Sequence, residues 1–166
     1  KDRARLDRLV RIDADLTKTR AKDHPDAALV LVAERTVIDV FHDDSSRLET
    51  TYLEKVLTQD GMEKFNKLRL ADDWSDLRTI LADGAVLEPV RLEGEKRFYL
   101  PGLTPGAAVA QRETVYRRAP DADEPSRLNF VFQDTSFASP YLDSRCVVRL
   151  PSGSALVLSG RNLETV

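Results

Sequence analysis

Residues 27–42, Ala-Ala-Leu-Val-Leu-Val-Ala-Glu-Arg-Thr-Val-Ile-Asp-Val-Phe-His, decide between two fold classes for this chain. The run is apolar from Ala28 to Ala33, and Asp26 after Pro25 can cap a helix. The β-branched residues of the run are equally typical of two strands. Because no Gly or Asn marks a turn at residues 33–35, we expect a helix, and the two-strand alternative stays open.

The segments around this run predict further helices. Apolar residues recur at helical spacing over residues 2–20, 47–58 and 74–82. Gly61 interrupts the second of these, and residues 62–69 continue it as a short helical turn. Polar clusters at residues 43–46 and 72–73 are typical of turns and helix caps.

From Ala85 onward the apolar period changes to two, which is typical of strands. The strand candidates are residues 86–92, 96–100, 107–118, 127–134, 145–150 and 155–159. Their unbroken succession favours an antiparallel sheet. We therefore predict a single α+β domain over residues 1–166: a helical half (1–84, about four helices), then a β half (85–166, about six strands).

Composition excludes several classes of protein. The 166 residues are 42% hydrophobic and 32% charged with a net charge of -3, so no global field draws the chain to DNA or an anionic membrane. No run approaches the ~20 apolar residues of a membrane span, and no signal peptide is visible. The single cysteine, Cys146, lies in an apolar run, which predicts a buried, inert thiol and no disulfide.

The sequence contains no pattern that carries catalysis. Only His24 and His42 can serve as a base, and no serine lies in a nucleophile elbow. Residues 42–44 place imidazole and carboxylates together, but a turn explains them as well as a metal does. Glu34 and Asp39 after the apolar run are candidates for holding magnesium, and we interpret them as surface charges. We therefore expect no enzyme activity, metal or cofactor.

Residues 73–100, a helix that ends at Gly84 and runs into a hairpin, resemble the last helix and wing of a winged-helix domain, which would span residues 47–100 as a three-helix unit. Such domains place a helix in the major groove of DNA. Here that helix carries Asp72, Asp73, Asp76 and Asp83 against Arg78, and these acids would repel phosphates. This alternative therefore predicts a protein partner sooner than a nucleic acid.

A second resemblance lies at the two ends. Residues 148–164, Val-Arg-Leu-Pro-Ser-Gly-Ser-Ala-Leu-Val-Leu-Ser-Gly-Arg-Asn-Leu-Glu, are similar to the closing strand of extracytoplasmic sensor domains in bacterial membrane histidine kinases. Residues 11–16 resemble the membrane-proximal helix of that family. The abrupt ends of the chain fit a piece cut between two membrane spans. The resemblance implies a non-enzymatic ligand-sensing domain, outside the cytoplasm, that forms a homodimer through its first helix.

Strand 107–118 carries the candidate ligand site. Arg112, Tyr116 and Arg118 alternate onto one face, which suits an anionic small molecule. A third alternative, a structural subunit of a larger assembly, depends on the acidic, Pro-flanked tip at residues 119–126, which can reach a neighbouring subunit.

Overall fold

Two long strands joined by a tight turn form the centre of the fold. The computed structural model describes residues 11–12, 15–66, 74–92, 98–119 and 140–154. β1 (Leu29–Val40) and β2 (Ser46–Val56) pair antiparallel along their whole length. β1 is buried at ten of its twelve positions, as in a central strand covered on both faces. The helix expected over residues 27–42 is therefore wrong, because the β-branched residues of this run pack better on a pleated sheet.

A hairpin turn connects the two strands. The Phe41 N–H donates to the Ser45 carbonyl oxygen at 2.9 Å. Asp44 adopts a left-handed φ of 61°. Asp43 Oδ1 accepts from the backbone N–H of Ser45 at 3.1 Å and from its hydroxyl at 2.6 Å. The Asp-Asp-Ser-Ser cluster is therefore turn chemistry between strands, where short polar side chains replace missing backbone partners.

The remaining elements complete a mixed sheet. They are α1 (Gln59–Asn66), β3 (Trp74–Ile80), β4 (Val86–Leu87), β5 (Val90–Arg91), β6 (Phe98–Tyr99), β7 (Ala108–Arg117) and β8 (Ser144–Arg149), after 3₁₀ turns at Leu16–Lys18 and Ala21–Asp23. The six-stranded sheet has the order β4-β3-β7-β2-β1-β8, and β5 and β6 form a separate ribbon. β8 runs parallel to β1, whereas the other pairs are antiparallel, so the expected all-antiparallel sheet is wrong.

The predicted architecture of about four helices followed by a sheet is also wrong. In the described residues α1 is the only α-helix, and the helices expected over residues 47–58 and 74–82 are β2 and β3. The error over residues 47–58 has a physical cause. Leu48, Tyr52 and Val56 are four positions apart, a spacing that places side chains on one face of either a helix or a strand. Residues 46–56 form a strand because they pair with β1 on one side and with β7 on the other.

Gly61 lies inside α1 and does not interrupt it. A Cβ atom at this position would stand 2.2 Å from the Ala28 carbonyl oxygen. That carbonyl accepts from the Leu57 N–H at 3.0 Å. Gly61 therefore allows α1 to approach the start of β1 closely, which a residue with a side chain would prevent.

Part of the β half agrees with the prediction. β7 matches the strand expected over residues 107–118. The strand expected over residues 86–92 is divided into β4 and β5, of which β5 pairs antiparallel with β6, and the turn expected at residues 93–95 lies outside the described residues. The strands expected at residues 127–134 and 155–159, the tip at residues 120–126 and the first ten residues lie outside the described residues. The winged-helix alternative loses its basis, because residues 46–56 and 74–80 are strands.

The two faces of the six-stranded sheet have different coverings and different charges. We call one the acidic face, since it carries Glu34, Glu54 and Glu113, and the other the arginine face, since it carries Arg35, Arg47 and Arg112. At one end of the acidic face, α1 packs through Met62 and Phe65 on a core of strand residues: Leu29, Val56, Leu77 and Val109. At the same end of the arginine face, Ile12 and Leu16 pack on Val30, Leu53 and Ala108. Toward the opposite end, the arginine face carries mainly polar residues, whereas the acidic face carries polar residues in the middle and the apolar residues Ile38, Val40 and Leu48 beyond them.

No helix in the described part of the chain has the length and apolar character needed to cross a membrane.

Candidate functional site

Two rows of polar side chains cross the acidic face between apolar neighbours. Cross-strand partners in direct register share a face and lie about 4.5–5.5 Å apart at their Cβ atoms. The first row consists of Ser144, Glu34, Tyr52 and Gln111, and the second of Cys146, Thr36, Thr50 and Glu113. We call these eight residues the polar rows. They bring the β1–β2 pair together with β7 and β8, which come much later in the sequence.

Hydrogen bonds fix several of these side chains. The Ser144 hydroxyl donates to Glu34 Oε2 at 2.6 Å, and the hydroxyls of Thr36 and Thr50 are 3.2 Å apart. Gln111 Nε2 donates to Oε2 of Glu54, the residue two positions along β2 from the first row, at 3.3 Å. Glu34 is only 8% exposed to solvent, and Thr36, Thr50 and Gln111 are also buried. The floor of the site is therefore a rigid, hydrogen-bonded surface.

One acceptor in this surface has no donor. The Oε1 atom of Gln111 is buried, and no group among the described residues donates a hydrogen bond to it. The residue is 7% exposed, so bulk water does not replace the missing donor. A buried carbonyl without a partner costs about 1–3 kcal/mol. Such a group is expected to find a donor, and a bound molecule can supply one.

Burial shifts the titration of three groups around the polar rows. Burial raises the pKa of the Glu54 carboxyl, against the opposing charge of Lys64. Burial, with the charges of Glu34 and Glu113, raises the pKa of Tyr52 to about 12. Burial and the nearby Glu34 raise the pKa of Cys146 to about 11. Near neutral pH the phenol and thiol therefore keep their protons.

This chemistry suits binding more than nucleophilic catalysis. The Cys146 thiol is protonated, and it is the free cysteine of a chain that has no other. The two histidines lie elsewhere, His24 at the end of a 3₁₀ turn and His42 in the β1–β2 turn. The polar rows instead present carboxylates and the Gln111 carbonyl, which are acceptors. A ligand that donates hydrogen bonds, or that carries a positive charge, fits this set.

The residues predicted from sequence to bind a ligand lie on the other side of the sheet. Arg112 lies on the arginine face, with its Nη1 3.0 Å from Asp76 Oδ2 and its Nε 3.8 Å from Glu49 Oε1. Tyr116 shares that face and is 72% exposed. Arg118 follows the end of β7 and is exposed. An anion at Arg112 would have to compete with two carboxylates, and the assignment stays a prediction.

The acidic residues considered for magnesium are separated by the fold. Glu34 lies on the acidic face, and Asp39 lies on the arginine face, where it contacts Arg149 at 3.3 Å. The interpretation of Glu34 as a surface charge is wrong, because its side chain is buried against Ser144. Among the residues that the structure describes, no group of three or more His, Cys, Asp or Glu is placed to hold a metal ion.

Sequence reasoning missed most of the polar rows. Glu34 gave a signal, a carboxylate directly after an apolar run, but Gln111 and Ser144 gave none. Their significance depends on register: β8 pairs parallel with β1, and β7 pairs with β2. With the correct strand assignment, the alternation of Thr50, Tyr52 and Glu54 could have indicated a polar face.

Comparison with known proteins identifies no family. No protein-family model and no curated protein matches the chain. One solved structure is similar over 56% of this chain, with a TM-score of 0.41 and 11% identity: a crystal structure of a protein from Parabacteroides distasonis provisionally classed as a protease. This chain covers 24% of that protein. Similarity at this level carries no conclusion about fold or activity.

Proposed function

We propose that this chain is a non-enzymatic ligand-binding domain of the sensing type, and that the polar rows of the acidic face are its binding site. The observation that carries the proposal is the buried Gln111 carbonyl oxygen, which has no donor although it lies among hydrogen-bonded neighbours. A ligand N–H group would supply that donor. Binding would thereby remove the cost of an unsatisfied buried acceptor.

The composition of the site favours a small organic cation, such as an amine. Glu34 and Glu113 lie in the two rows, and Glu54 flanks them. The arginines of the neighbouring strand positions point to the opposite face, so they do not neutralise these carboxylates directly. An ammonium group provides up to three donors and a charge opposite to that of the carboxylates. It can therefore bond to Gln111 and be attracted by Glu34 together.

A route from the site to the N-terminal segment supports a sensing role. Arg35 and Lys55 follow Glu34 and Glu54 directly in the sequence and lie on the arginine face. Arg35 Nε donates to the Arg11 carbonyl oxygen at 3.4 Å, and Lys55 Nζ donates to that of Leu16. A ligand that shifts the two glutamates would shift the strand positions holding this segment. Coupling of this kind requires only a small difference in ligand affinity between two arrangements.

The test compares two molecules of matched length and opposite charge. Putrescine, a four-carbon diamine, and succinate, a four-carbon dicarboxylate, are titrated while thermal unfolding is followed. At ten times its Kd a ligand stabilises the fold by about 1.4 kcal/mol. That corresponds to roughly 3–6 °C for a chain of this size. We expect putrescine to raise the Tm and to slow alkylation of Cys146, which lies in the second row.

Two matched variants locate the effect. Glu34→Gln removes a charge from the polar rows, whereas Glu49→Gln removes one from the arginine face. We expect the first to abolish the response to putrescine and the second to leave it unchanged. Hydrogen exchange at residues 15–18 tests the sensing role, since putrescine is expected to change it. Stabilisation by succinate alone would overturn the proposal and favour the site predicted at Arg112.

A further inference from the structure

Eight charged residues of the arginine face form one continuous chain of ion pairs across the sheet. Neighbouring charges in this chain are 3.0 to 3.9 Å apart, nitrogen to oxygen. In order, it consists of Arg149, Asp39, Arg47, Glu49, Arg112, Asp76, Arg78 and Glu88. We call it the charge ladder. It begins on β8 at one edge of the described sheet and ends next to β4 at the other.

The order of the charges is strictly alternating, and this makes the ladder complementary to itself. It starts with a cation, ends with an anion and has four of each sign. When two copies meet face to face about a twofold axis that lies in the interface and crosses the middle of the ladder at a right angle, the first residue of one faces the last of the other. Arg149 then faces Glu88 of the second copy, and Arg112 faces Glu49 of the second copy. Every facing pair has opposite signs, as an isologous interface requires.

The ladder is accessible and flanked by an aromatic residue. Its side chains are partly exposed, from 23% at Asp39 to 74% at Glu88. Tyr116, on the same face and in register with Arg47, is among the most exposed large side chains of the described residues. Tyr and Arg are enriched in protein interfaces. Because each charge already has a partner within its own chain, covering the ladder costs less than covering isolated charges.

The backbone is distorted where the ladder crosses β3. Asp76 has a φ of 53° in a bulge between Ser75 and Arg78. This bulge turns Leu77 into the core and presents the Asp76 carboxylate to Arg112. A left-handed residue other than Gly is strained and persists only where its surroundings fix it. The fold therefore tolerates strain that keeps the alternation unbroken.

We propose that the arginine face binds a second copy of this chain, in a twofold dimer whose contacts follow the charge ladder. The face is opposite to the polar rows, so this inference stands apart from the proposed ligand. Facing charges steer the copies into one register, because like charges opposed across an interface repel each other and disfavour the other registers. Exposed ion pairs are weakened by salt, so the dimer should dissociate as the ionic strength rises.

A charge-swap experiment tests the dimer by analytical ultracentrifugation. Arg149→Glu and Glu88→Arg each place like charges opposite one another in a homodimer, so each should raise the dimer Kd about tenfold or more. A mixture of the two variants restores opposite charges at both facing pairs, so it should dimerise nearly as well as the wild type. Lys22→Glu, a reversal at an exposed residue outside the ladder, is the matched control and should leave the Kd unchanged.

Three outcomes would overturn the inference: a wild-type monomer at high protein concentration, a dimer insensitive to both reversals, or no recovery on mixing. A dimer formed through the first ten residues would give the second outcome. Arg149→Glu also faces Asp39 in its own chain and can weaken the fold, whereas Glu88→Arg faces Arg78 there from a side-chain position that is 74% exposed and therefore weakly coupled to the fold. In that case Glu88→Arg decides alone, since it must raise the Kd more than Glu88→Gln does.

Discussion

Glu34 and Arg35, neighbours in β1, contact the same dipeptide from opposite faces of the sheet. Glu34 accepts from the Ser144 hydroxyl at 2.6 Å, and Arg35 forms an ion pair with the Asp143 carboxylate. The Glu34 N–H also donates to the Asp143 carbonyl oxygen at 2.8 Å. The pairing of β8 with β1 thus begins at a clamp made of two adjacent residues on each strand. At this clamp the polar rows and the arginine face are therefore a single peptide unit apart.

The pKa of the Cys146 thiol depends on Glu34, one of the residues of this clamp. Burial is the larger cause of its raised pKa, and the charge of Glu34 is the second. We expect Glu34→Gln to lower the pKa of Cys146 and speed its alkylation roughly threefold at pH 8, because the thiolate is the reactive form. The rate should stay below that of a free thiol, since burial remains. Glu49→Gln, on the opposite face, is the control, and an equal acceleration there would contradict the assignment to Glu34.

Glu54 predicts a dependence of stability on pH. Its pKa is raised by burial above the value of 4.5 taken for an unfolded chain. The folded state therefore binds more protons than the unfolded state between these two pKa values, and the free energy of unfolding falls as pH rises through that window. We expect Glu54→Gln, which mimics the protonated acid, to be more stable than the wild type at pH 7.

Urea denaturation of both proteins at pH 4 and pH 7 measures this effect. The difference between variant and wild type should shrink at pH 4, where Glu54 is protonated in both states. A difference of the same size at both pH values would mean that the glutamine acts through packing and not through charge.

Tyr52 predicts a separate tyrosine titration. The chain has four tyrosines, and burial with nearby carboxylates raises the pKa of Tyr52 to about 12. We expect ultraviolet absorbance to show one phenol ionising well above the ordinary value of 10, and Tyr52→Phe to remove that component. The stability that this phenol contributes is present below pH 10 and is lost as pH rises through 12. A wild-type titration complete near pH 10 would show that Tyr52 is not buried as described.

The sequence predicted the position of β7 and the antiparallel pairing of β5 with β6, where alternation and Gly-containing turns act over a few residues. It could not identify β2, because Leu48, Tyr52 and Val56 have a spacing that both a helix and a strand satisfy. The candidate site depends on contacts between residues that are even further apart in the sequence. Glu34 and Ser144 are 110 residues apart, and only the parallel pairing of β8 joins them. Likewise nothing local indicates that Asp76 adopts a left-handed conformation, since the bulge follows from the pairing of β3 with β7.

At Gly61 we expect substitution by Ala to destabilise the fold, which is the opposite of its usual effect in a helix. Replacing Gly by Ala inside a helix ordinarily stabilises a protein by up to about 1 kcal/mol. Here the new Cβ would stand 2.2 Å from the Ala28 carbonyl oxygen, a backbone atom that cannot move aside freely. We expect Gly61→Ala to lower the free energy of unfolding by about 1–3 kcal/mol, measured by urea denaturation. Gln59→Ala, at an exposed position of the same helix, should change it by less than about 0.5 kcal/mol.

Two substitutions of Asp76 distinguish the contribution of backbone strain to stability from that of its ion pair. Asn tolerates the left-handed region nearly as well as Asp, whereas a β-branched residue does not. The carboxylate is about half exposed, so its ion pair with Arg112 contributes at most about 1 kcal/mol. We therefore expect Asp76→Asn to cost less than about 1 kcal/mol in the free energy of unfolding, and Asp76→Val to cost about 2–4 kcal/mol because it adds strain in the bulge. Equal losses in the two variants would mean that the charge, and not the φ of 53°, determines which residue β3 accepts here.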